Sequence, residues 1–275
     1  MVMLGLACSQ PVRPREDEPA RGPRAPVVAS AAVAADAASG SAGAGDPGPG
    51  GDAAGGAGRP GGAGGPGGPG GPGGVAAPAI VDAPMAWSAE RERLTLDYRR
   101  QHSDPEAADL AIDPRVIVLH YTAGGSASAT RRYFDNVRIE SARKELARAG
   151  VVNVSAHFIV DRDGTIYQLQ PPTRFARHCI GMNHIAIGIE NAGDEAGFPL
   201  TDAQVAADAA LVRELARRYR ITHLLGHYEV MKFRAHPYYL ERDAAYKNDK
   251  PDPGPRFMAL VRARVADLGL QGLGP

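Results

Sequence analysis

Two histidines and an aspartate in this sequence have the residue types and positions to bind a metal ion. His120 lies in an apolar run at residues 115–121, and His227 follows another in the segment Leu-Leu-Gly-His-Tyr. Asp252 lies in Lys-Pro-Asp-Pro-Gly, where two prolines restrict the backbone and so orient the carboxylate. Such a trio can form a three-ligand zinc site whose fourth position stays open for water. A single histidine is more often structural, so the set favours a metal site, with His236 as an alternative third ligand.

These residues need strands and helices to bring them together. Short apolar, β-branched runs predict five strands, at residues 115–121, 155–161, 165–169, 185–190 and 221–225. The segment Arg-Asp-Gly at residues 162–164 predicts a hairpin between the second and third strands. His120 and His227 then lie at strand ends, where α/β sheets build their sites.

Four helices are predicted between and after these strands. One begins near Ser126 or Ser128, and one covers about residues 138–149. A third follows Thr201, which caps it together with Gln204 in a capping box, and the last begins near Pro255. The residues expected to face inward are Val205, Ala209, Val212, Ala216 and Tyr219 in the third helix and Phe257, Leu260, Val261 and Leu268 in the last. This order predicts an α/β fold with a mixed central β-sheet flanked by helices.

The composition of the 275-residue chain divides it into two unequal parts. More than half of its 34 glycines fall between Gly40 and Gly74, among Pro, Ala and Asp. Such a segment buries too little apolar area to fold, so residues 9–84 are predicted to be a long disordered Gly/Pro-rich linker or dispensable low-complexity sequence. Residues 85–275 are long enough for one domain with its own core. The formal net charge of zero and the lack of a long basic run give no indication of nucleic-acid binding.

The amino terminus, Met-Val-Met-Leu-Gly-Leu-Ala-Cys-Ser, resembles the end of a bacterial lipoprotein signal, with Cys8 as the lipidated residue. Gly5 stands where a leucine is usual, and the apolar run at residues 1–8 is short, so an uninformative terminus is the alternative. If Cys8 is lipidated, only Cys179 remains, and it is expected to be a small buried residue rather than a nucleophile. We expect attachment to a membrane only through this lipid anchor.

Five segments resemble, in order, the motifs of the zinc-dependent N-acetylmuramoyl-L-alanine amidases, which share a fold with the peptidoglycan recognition proteins. They are VIVLHYTAG, VSAHFIVDRDGTIYQL, AIGIEN, LLGHYEV and KPDPGPRF, and the resemblance covers about residues 115–265. It implies His120, His227 and Asp252 as Zn²⁺ ligands. It also implies Glu190 as the general base and Lys250 as the cation beside the reacting carbonyl. Alternatively, Glu190 is a salt-bridged structural carboxylate and Lys250 a solvated loop charge.

The sequence departs from the family pattern at two places. Ala156 stands where some members carry a catalytic tyrosine, which assigns the acid–base role to Glu190; His157 beside it either lines the site or packs in the hairpin. The other departure is a long segment, residues 231–248, whose aromatic side chains either contact sugar rings or cover the edge of the domain. Asn183 matches a family position near the substrate peptide, and His178 and His184 are candidate residues at the rim of the site.

The resemblance implies an enzyme that cuts the amide between N-acetylmuramic acid and L-alanine in peptidoglycan or muropeptides. A non-catalytic peptidoglycan-binding module of the same fold is the alternative, and a toxin domain acting on the wall of another bacterium is a third. We expect a monomer in the cell envelope, attached to the outer membrane as a lipoprotein facing the periplasm.

Overall fold

The computed structural model of the protein describes residues 77–272. Six strands lie in this part of the chain: β1 (Ile80–Asp82), β2 (Val116–Tyr121), β3 (Phe158–Val160), β4 (Ile166–Gln168), β5 (Ala186–Asn191) and β6 (His223–Gly226). The helices are α1 (Ala89–His102), α2 (Ala127–Asp135), α3 (Lys144–Arg148), α4 (Asp202–Arg218), α5 (His227–Val230) and α6 (Pro255–Arg264), with 3₁₀ turns at Met231–Phe233 and Ala266–Leu268. The five predicted strands are therefore confirmed as strands.

The strands form one mixed sheet in the order β1-β4-β3-β5-β2-β6. Only β3 and β4 pair antiparallel, as the predicted hairpin requires, and the other neighbours are parallel. In the pairing of β2 with β5, His120 is aligned with Glu190 at the carboxyl ends of both strands. The strand β6 lies on the other side of β2 and leads directly into His227. The sheet thus brings three predicted site residues to one edge.

Alternation along β2 and β5 gives the sheet two different faces. Ile117, Leu119, Ile187 and Ile189 pack in one core cluster with apolar residues of α4 and α6. Val116, Val118 and Ala186 pack in another cluster with Cys179, Met182 and Leu225. Because side chains alternate, His120 and Glu190 lie on this second face, which is covered by the turn at residues 178–183.

The predicted capping box of α4 is confirmed. The Thr201 side chain accepts a hydrogen bond from the backbone of Gln204, and the Gln204 side chain accepts one from the backbone of Thr201. The amide of Gln204 also donates to the carbonyl oxygens of Val160 and Ala192, over 3.2 and 3.0 Å. These bonds fix the start of α4 against β3 and β5. Ser126 likewise caps α2, as expected.

Two details of the predicted helices are wrong. The helix expected over residues 138–149 is only the five-residue α3, because Arg138 forms a β-bridge with Val152 and turns occupy the residues between. Leu260 was expected to face inward but is 38 % exposed, and Met258 is buried in its place. Leu260 instead lines a groove beside the loop that follows Asp252.

Three elements, β1, α1 and the short helix α5, were not predicted. β1 pairs in parallel with β4, so the sheet begins ahead of the domain boundary expected at residue 85. The remainder of the predicted linker, at residues 9–76, and the lipoprotein segment with Cys8 lie outside the described residues. The attachment of Cys8 to lipid stays a prediction. In residues 77–272, no helix combines the length and apolar character needed to cross a membrane.

The long segment at residues 231–248 packs along the domain. Phe233 and Tyr246 are buried, and the backbone N–H of Leu240 donates to the carbonyl oxygen of Gly181 over 2.9 Å. Glu241 accepts a hydrogen bond from His102 at the end of α1, over 2.8 Å. These contacts favour the second of the two interpretations, in which this segment covers an edge of the domain.

Candidate metal and catalytic site

Three separate parts of the fold supply the candidate metal ligands. His120 is the penultimate residue of β2, and His227 is the first residue of α5, directly after β6. Asp252 lies in the loop before α6, and its carbonyl oxygen accepts a hydrogen bond from the backbone N–H of Tyr228 over 2.9 Å. This bond ties the loop to α5. His120 and Asp252 are both buried, with only 2 % and 6 % of their surface exposed.

The three side chains direct one atom each toward a common point. Nδ1 of His120 lies 3.0 Å from Nδ1 of His227, and each of these nitrogens lies 3.2 Å from Oδ2 of Asp252. Tetrahedral zinc with bonds of about 2.0–2.1 Å separates its ligand atoms by about 3.3 Å. The observed triangle is close to this size. Two imidazole nitrogens and one carboxylate oxygen are also a ligand set typical of catalytic zinc, so the residues present fit this metal.

The charges of the three groups are strongly coupled. Burial would raise the pKa of Asp252, but His227 and His120 hold it below its usual range. Burial would lower the pKa of His227, but the carboxylate of Asp252 outweighs this effect and raises it. For His120, burial and the neighbouring His227 lower the pKa to about 4. His120 is thus kept neutral, as a metal-binding imidazole must be.

Glu190 and Lys250 lie beside this trio. Burial, with the nearby charge of Asp252, raises the pKa of Glu190 to about 8, although His227 and Lys250 oppose the shift. Its Oε2 atom is buried and has no hydrogen-bond partner among residues 77–272. Burial lowers the pKa of Lys250, and the charges of Asp252 and Glu190 act in the opposite direction. A carboxyl group that exchanges protons near neutral pH therefore lies close to a partly buried cation.

Arg143 is a second cation near these groups, and no motif in the sequence indicated it. Its positive charge lowers the pKa of both Glu190 and Lys250. Nη1 of Arg143 donates to the hydroxyl of Tyr133 over 2.8 Å, and that hydroxyl donates to Glu140 over 2.8 Å. Arg143 was expected inside a helix, but it lies directly before α3, at the amino end of this short helix.

The predicted substrate residues occupy different surroundings. His157 is fully buried; its Nδ1 accepts from the backbone of Gly188 over 2.9 Å, and its Nε2 donates to the carbonyl oxygen of Arg174 over 2.8 Å. This placement favours the packing role for His157. Asn183 is 5 % exposed, and its side-chain oxygen accepts from the backbone N–H groups of His178 and Cys179, over 2.9 and 2.8 Å.

His178 lies against the metal site itself. Its Nδ1 is 3.1 Å from Nε2 of His120, and burial, with the nearby His120 and His157, lowers the pKa of His178 well below its usual range. The other two histidines considered as candidates are elsewhere. His184 is half-buried on the turn before β5, and the ring of His236 stacks on Phe233 with 4.0 Å between ring centres.

Several known proteins are similar to this chain. Residues 110–255, which are more than half of it, match the family Amidase_2, described as N-acetylmuramoyl-L-alanine amidase. Among solved structures, the endolysin amidase LysCS from Clostridium intestinale URNW is 22% identical with a TM-score of 0.42, and the alignment covers 69% of this chain and 96% of that one.

Two further structures have similar scores. A selenomethionine derivative of AmpD is 24% identical with a TM-score of 0.41, covering 67% of this chain and 93% of that one. Human PGRP-IBETAC, solved with a glycosamyl muramyl pentapeptide, is 18% identical with a TM-score of 0.39, covering 56% and 84%. None of the curated proteins matches the chain. On the family match over residues 110–255, the chain belongs to the N-acetylmuramoyl-L-alanine amidase family.

Proposed function

We propose that the protein is a zinc-dependent enzyme that hydrolyses the amide between N-acetylmuramic acid and L-alanine in peptidoglycan or its fragments. The observation that carries this proposal is the convergence of His120, His227 and Asp252 on one point. Glu190 and Lys250 beside them supply the acid–base group and the cation that amide hydrolysis needs. A site that only bound peptidoglycan would need neither a metal trio nor a buried carboxyl oxygen that has no hydrogen-bond partner in the described part of the chain.

The three ligands would hold zinc with one position open. A zinc ion there would polarise the reacting carbonyl and increase the acidity of a water molecule beside it. Glu190 takes a proton from the attacking water through its Oε2 atom and later gives a proton to the leaving amine of L-alanine. In the metal-free protein the pKa of Glu190 is raised to about 8, and the positive charge of a bound zinc ion would lower it toward the ionised form that takes the proton of water.

Lys250 acts on the oxygen of the reacting carbonyl. This oxygen gains negative charge when water adds to the carbon, and an ammonium group placed beside it stabilises that charge. Lys250 lies only two positions before Asp252 in the loop that the Tyr228–Asp252 backbone bond holds in place. The same loop therefore orients a metal ligand and a cationic donor together.

Mass spectrometry of muropeptides after incubation with the zinc-loaded full-length protein tests the proposal. We expect free stem peptides that begin with L-alanine. Glu190→Gln should bind one equivalent of zinc but lose about 10²–10⁴ in turnover. Glu195→Gln makes the same change from carboxyl to amide at an exposed position beside Gly254, and should remain active.

Three outcomes of this experiment are distinct. Release of stem peptides by the wild type and Glu195→Gln, with loss in Glu190→Gln and after chelation, supports the amidase and its metal together. Cleavage that survives chelation would refute the metal assignment. Intact muropeptides after incubation with the zinc-loaded wild type would refute the amidase, and retention of the protein on isolated cell wall would then identify a binding module.

A further inference from the structure

The side of His120 that faces away from the candidate metal ligands contacts a second histidine. Nδ1 of His120 faces His227 and Asp252, whereas Nε2 lies 3.1 Å from Nδ1 of His178. Nε2 of His178 in turn lies 3.2 Å from the carbonyl oxygen of Ala186. The two rings meet edge to face, with 5.2 Å between their centres. They form a short chain of hydrogen bonds that runs from the site to the start of β5.

The end of this chain determines where its protons lie. A backbone carbonyl oxygen only accepts hydrogen bonds, so Nε2 of His178 must carry a proton to bond with Ala186. In a neutral imidazole the other nitrogen, Nδ1, then has none and accepts the proton of Nε2 in His120. His120 is thereby left with a lone pair on Nδ1, the atom that faces His227 and Asp252. This is the single arrangement in which both rings are neutral and the His120–His178 and His178–Ala186 contacts are both hydrogen bonds.

From this geometry we infer that His178 is a positioning residue: it fixes the tautomer and orientation of His120 so that Nδ1 is ready to bind zinc. The inference rests on the proposed metal site. Ligating histidines generally donate their second ring N–H to a carboxylate, a carbonyl or water, and loss of that partner typically costs 10–100-fold in metal affinity. In this chain a second histidine takes that place.

His178 is itself held on several sides. The side-chain oxygen of Asn183 accepts from the backbone of His178 over 2.9 Å and fixes the turn that carries it. On β5, a Cβ atom at Gly188 would lie 2.7 Å from Cγ and Nδ1 of His178, so the ring occupies space that only glycine leaves free. His157 lies against the other side, with 5.8 Å between ring centres. These contacts together hold the His178 ring in one position.

Two substitutions at residue 178 separate an acceptor role from a space-filling role. In His178→Asn, the amide oxygen can take the place of Nδ1 and accept from His120. In His178→Gln, the amide nitrogen can take the place of Nε2 and donate to Ala186, but nothing accepts from His120. Zinc affinity is measured for the full-length proteins by competition with a chromogenic chelator.

We expect His178→Asn to bind zinc within about threefold of the wild type and His178→Gln to bind about 10–100-fold more weakly. Equal affinities of His178→Gln and the wild type, or equal losses in both variants, would overturn the inference. His102→Gln, which breaks the buried contact with Glu241 away from the ligands, serves as a control for lost stability and should keep its affinity. A wild type that binds no zinc would refute the proposed function as well.

A second measurement needs neither a variant nor zinc. Two-bond ¹⁵N–¹H NMR spectra distinguish the two tautomers of a neutral histidine in the metal-free wild type. We expect His120 to carry its proton on Nε2 and His178 to carry its proton on Nε2. A His120 ring protonated on Nδ1 would overturn the inference, whatever the zinc measurements show.

Discussion

The stability of the protein should depend on pH through Asp208, and an asparagine at this position should remove that dependence. Asp208 lies in α4, fully buried, and burial raises the pKa of its carboxyl group to about 7. Its Oδ2 accepts a hydrogen bond from the side chain of Asn191 over 3.0 Å. Oδ1 of Asp208 and Oδ1 of Asn191 are buried without a hydrogen-bond partner within residues 77–272. A proton on Asp208 therefore adds a donor to a group of buried acceptors.

The direction and size of the effect follow from proton linkage. An aspartate in the unfolded chain titrates near 3.9, so between about pH 4 and pH 7 the folded protein binds one proton more than the unfolded chain. Stability then falls as the pH rises through this window, by up to about 1.4 kcal/mol per pH unit. The stabilisation of the folded protein by the proton on Asp208 is fully present below about pH 4 and lost above about pH 7. A difference of about 3 between the pKa values of Asp208 in the folded and unfolded chains corresponds to about 4 kcal/mol in the free energy of unfolding.

Urea unfolding of the metal-free protein measures this effect. Asp208→Asn keeps an acceptor for Asn191 but cannot ionise, so its stability relative to the wild type should rise by about 3 kcal/mol between about pH 4.5 and pH 8. Glu190 and the metal ligands titrate in both proteins, so their contributions cancel in the difference. Asp202→Asn removes the same charge from an exposed position in α4 and should parallel the wild type. Parallel curves for Asp208→Asn and the wild type would refute the reasoning from burial.

Further predictions concern the catalytic cation, a tight turn and a helix cap. Lys250→Met should lower kcat by about 10²–10³ while zinc affinity stays unchanged, and an unchanged kcat would contradict the proposed role. Gly181→Ala should lower the free energy of unfolding by about 2–4 kcal/mol, because φ is +79° and the new Cβ would overlap the ring of Tyr239. Gly269→Ala is its control, with φ of +62° but no atom of the described residues within 4 Å of the added Cβ, and should cost only about 1–2 kcal/mol; equal losses would rule out the overlap. Thr201→Ala should cost about 0.5–2 kcal/mol in urea unfolding, and no change would show that the capping box is not stabilising.

The sequence was sufficient to predict the elements that carry the candidate ligands. The strand that contains His120 and the strand before His227 are short apolar runs, and the loop with Asp252 is marked by its prolines. The hairpin between β3 and β4 and the capping box at Thr201 depend on local interactions, which neighbouring residue types specify directly. These features were predicted because each depends on residues close together in the chain.

Elements that depend on distant contacts could not be predicted in the same way. β1 is a three-residue edge strand that exists through its pairing with β4. In α1, the residue that most needs a partner is Arg91, which is 1 % exposed and donates to the carbonyl oxygens of Phe134 and Asn136, over 2.6 and 2.8 Å. No periodic pattern predicts a buried arginine. Ser88, whose side chain accepts from the backbone of Arg91, is the local signal that could have indicated the start of this helix.

The contact between His120 and His178 shows why the surroundings of the ligands are harder to predict than the ligands. It depends on the register of β2 and β5, in which His120 is aligned with Glu190, and on the turn that brings His178 over this face. Gly188 precedes Glu190 on the same face, and within a strand a glycine usually weakens packing. Here it leaves the space that the His178 ring occupies. A glycine on the buried face of a central strand, beside a predicted metal ligand, is therefore the sequence feature that indicates a second ring close to that ligand.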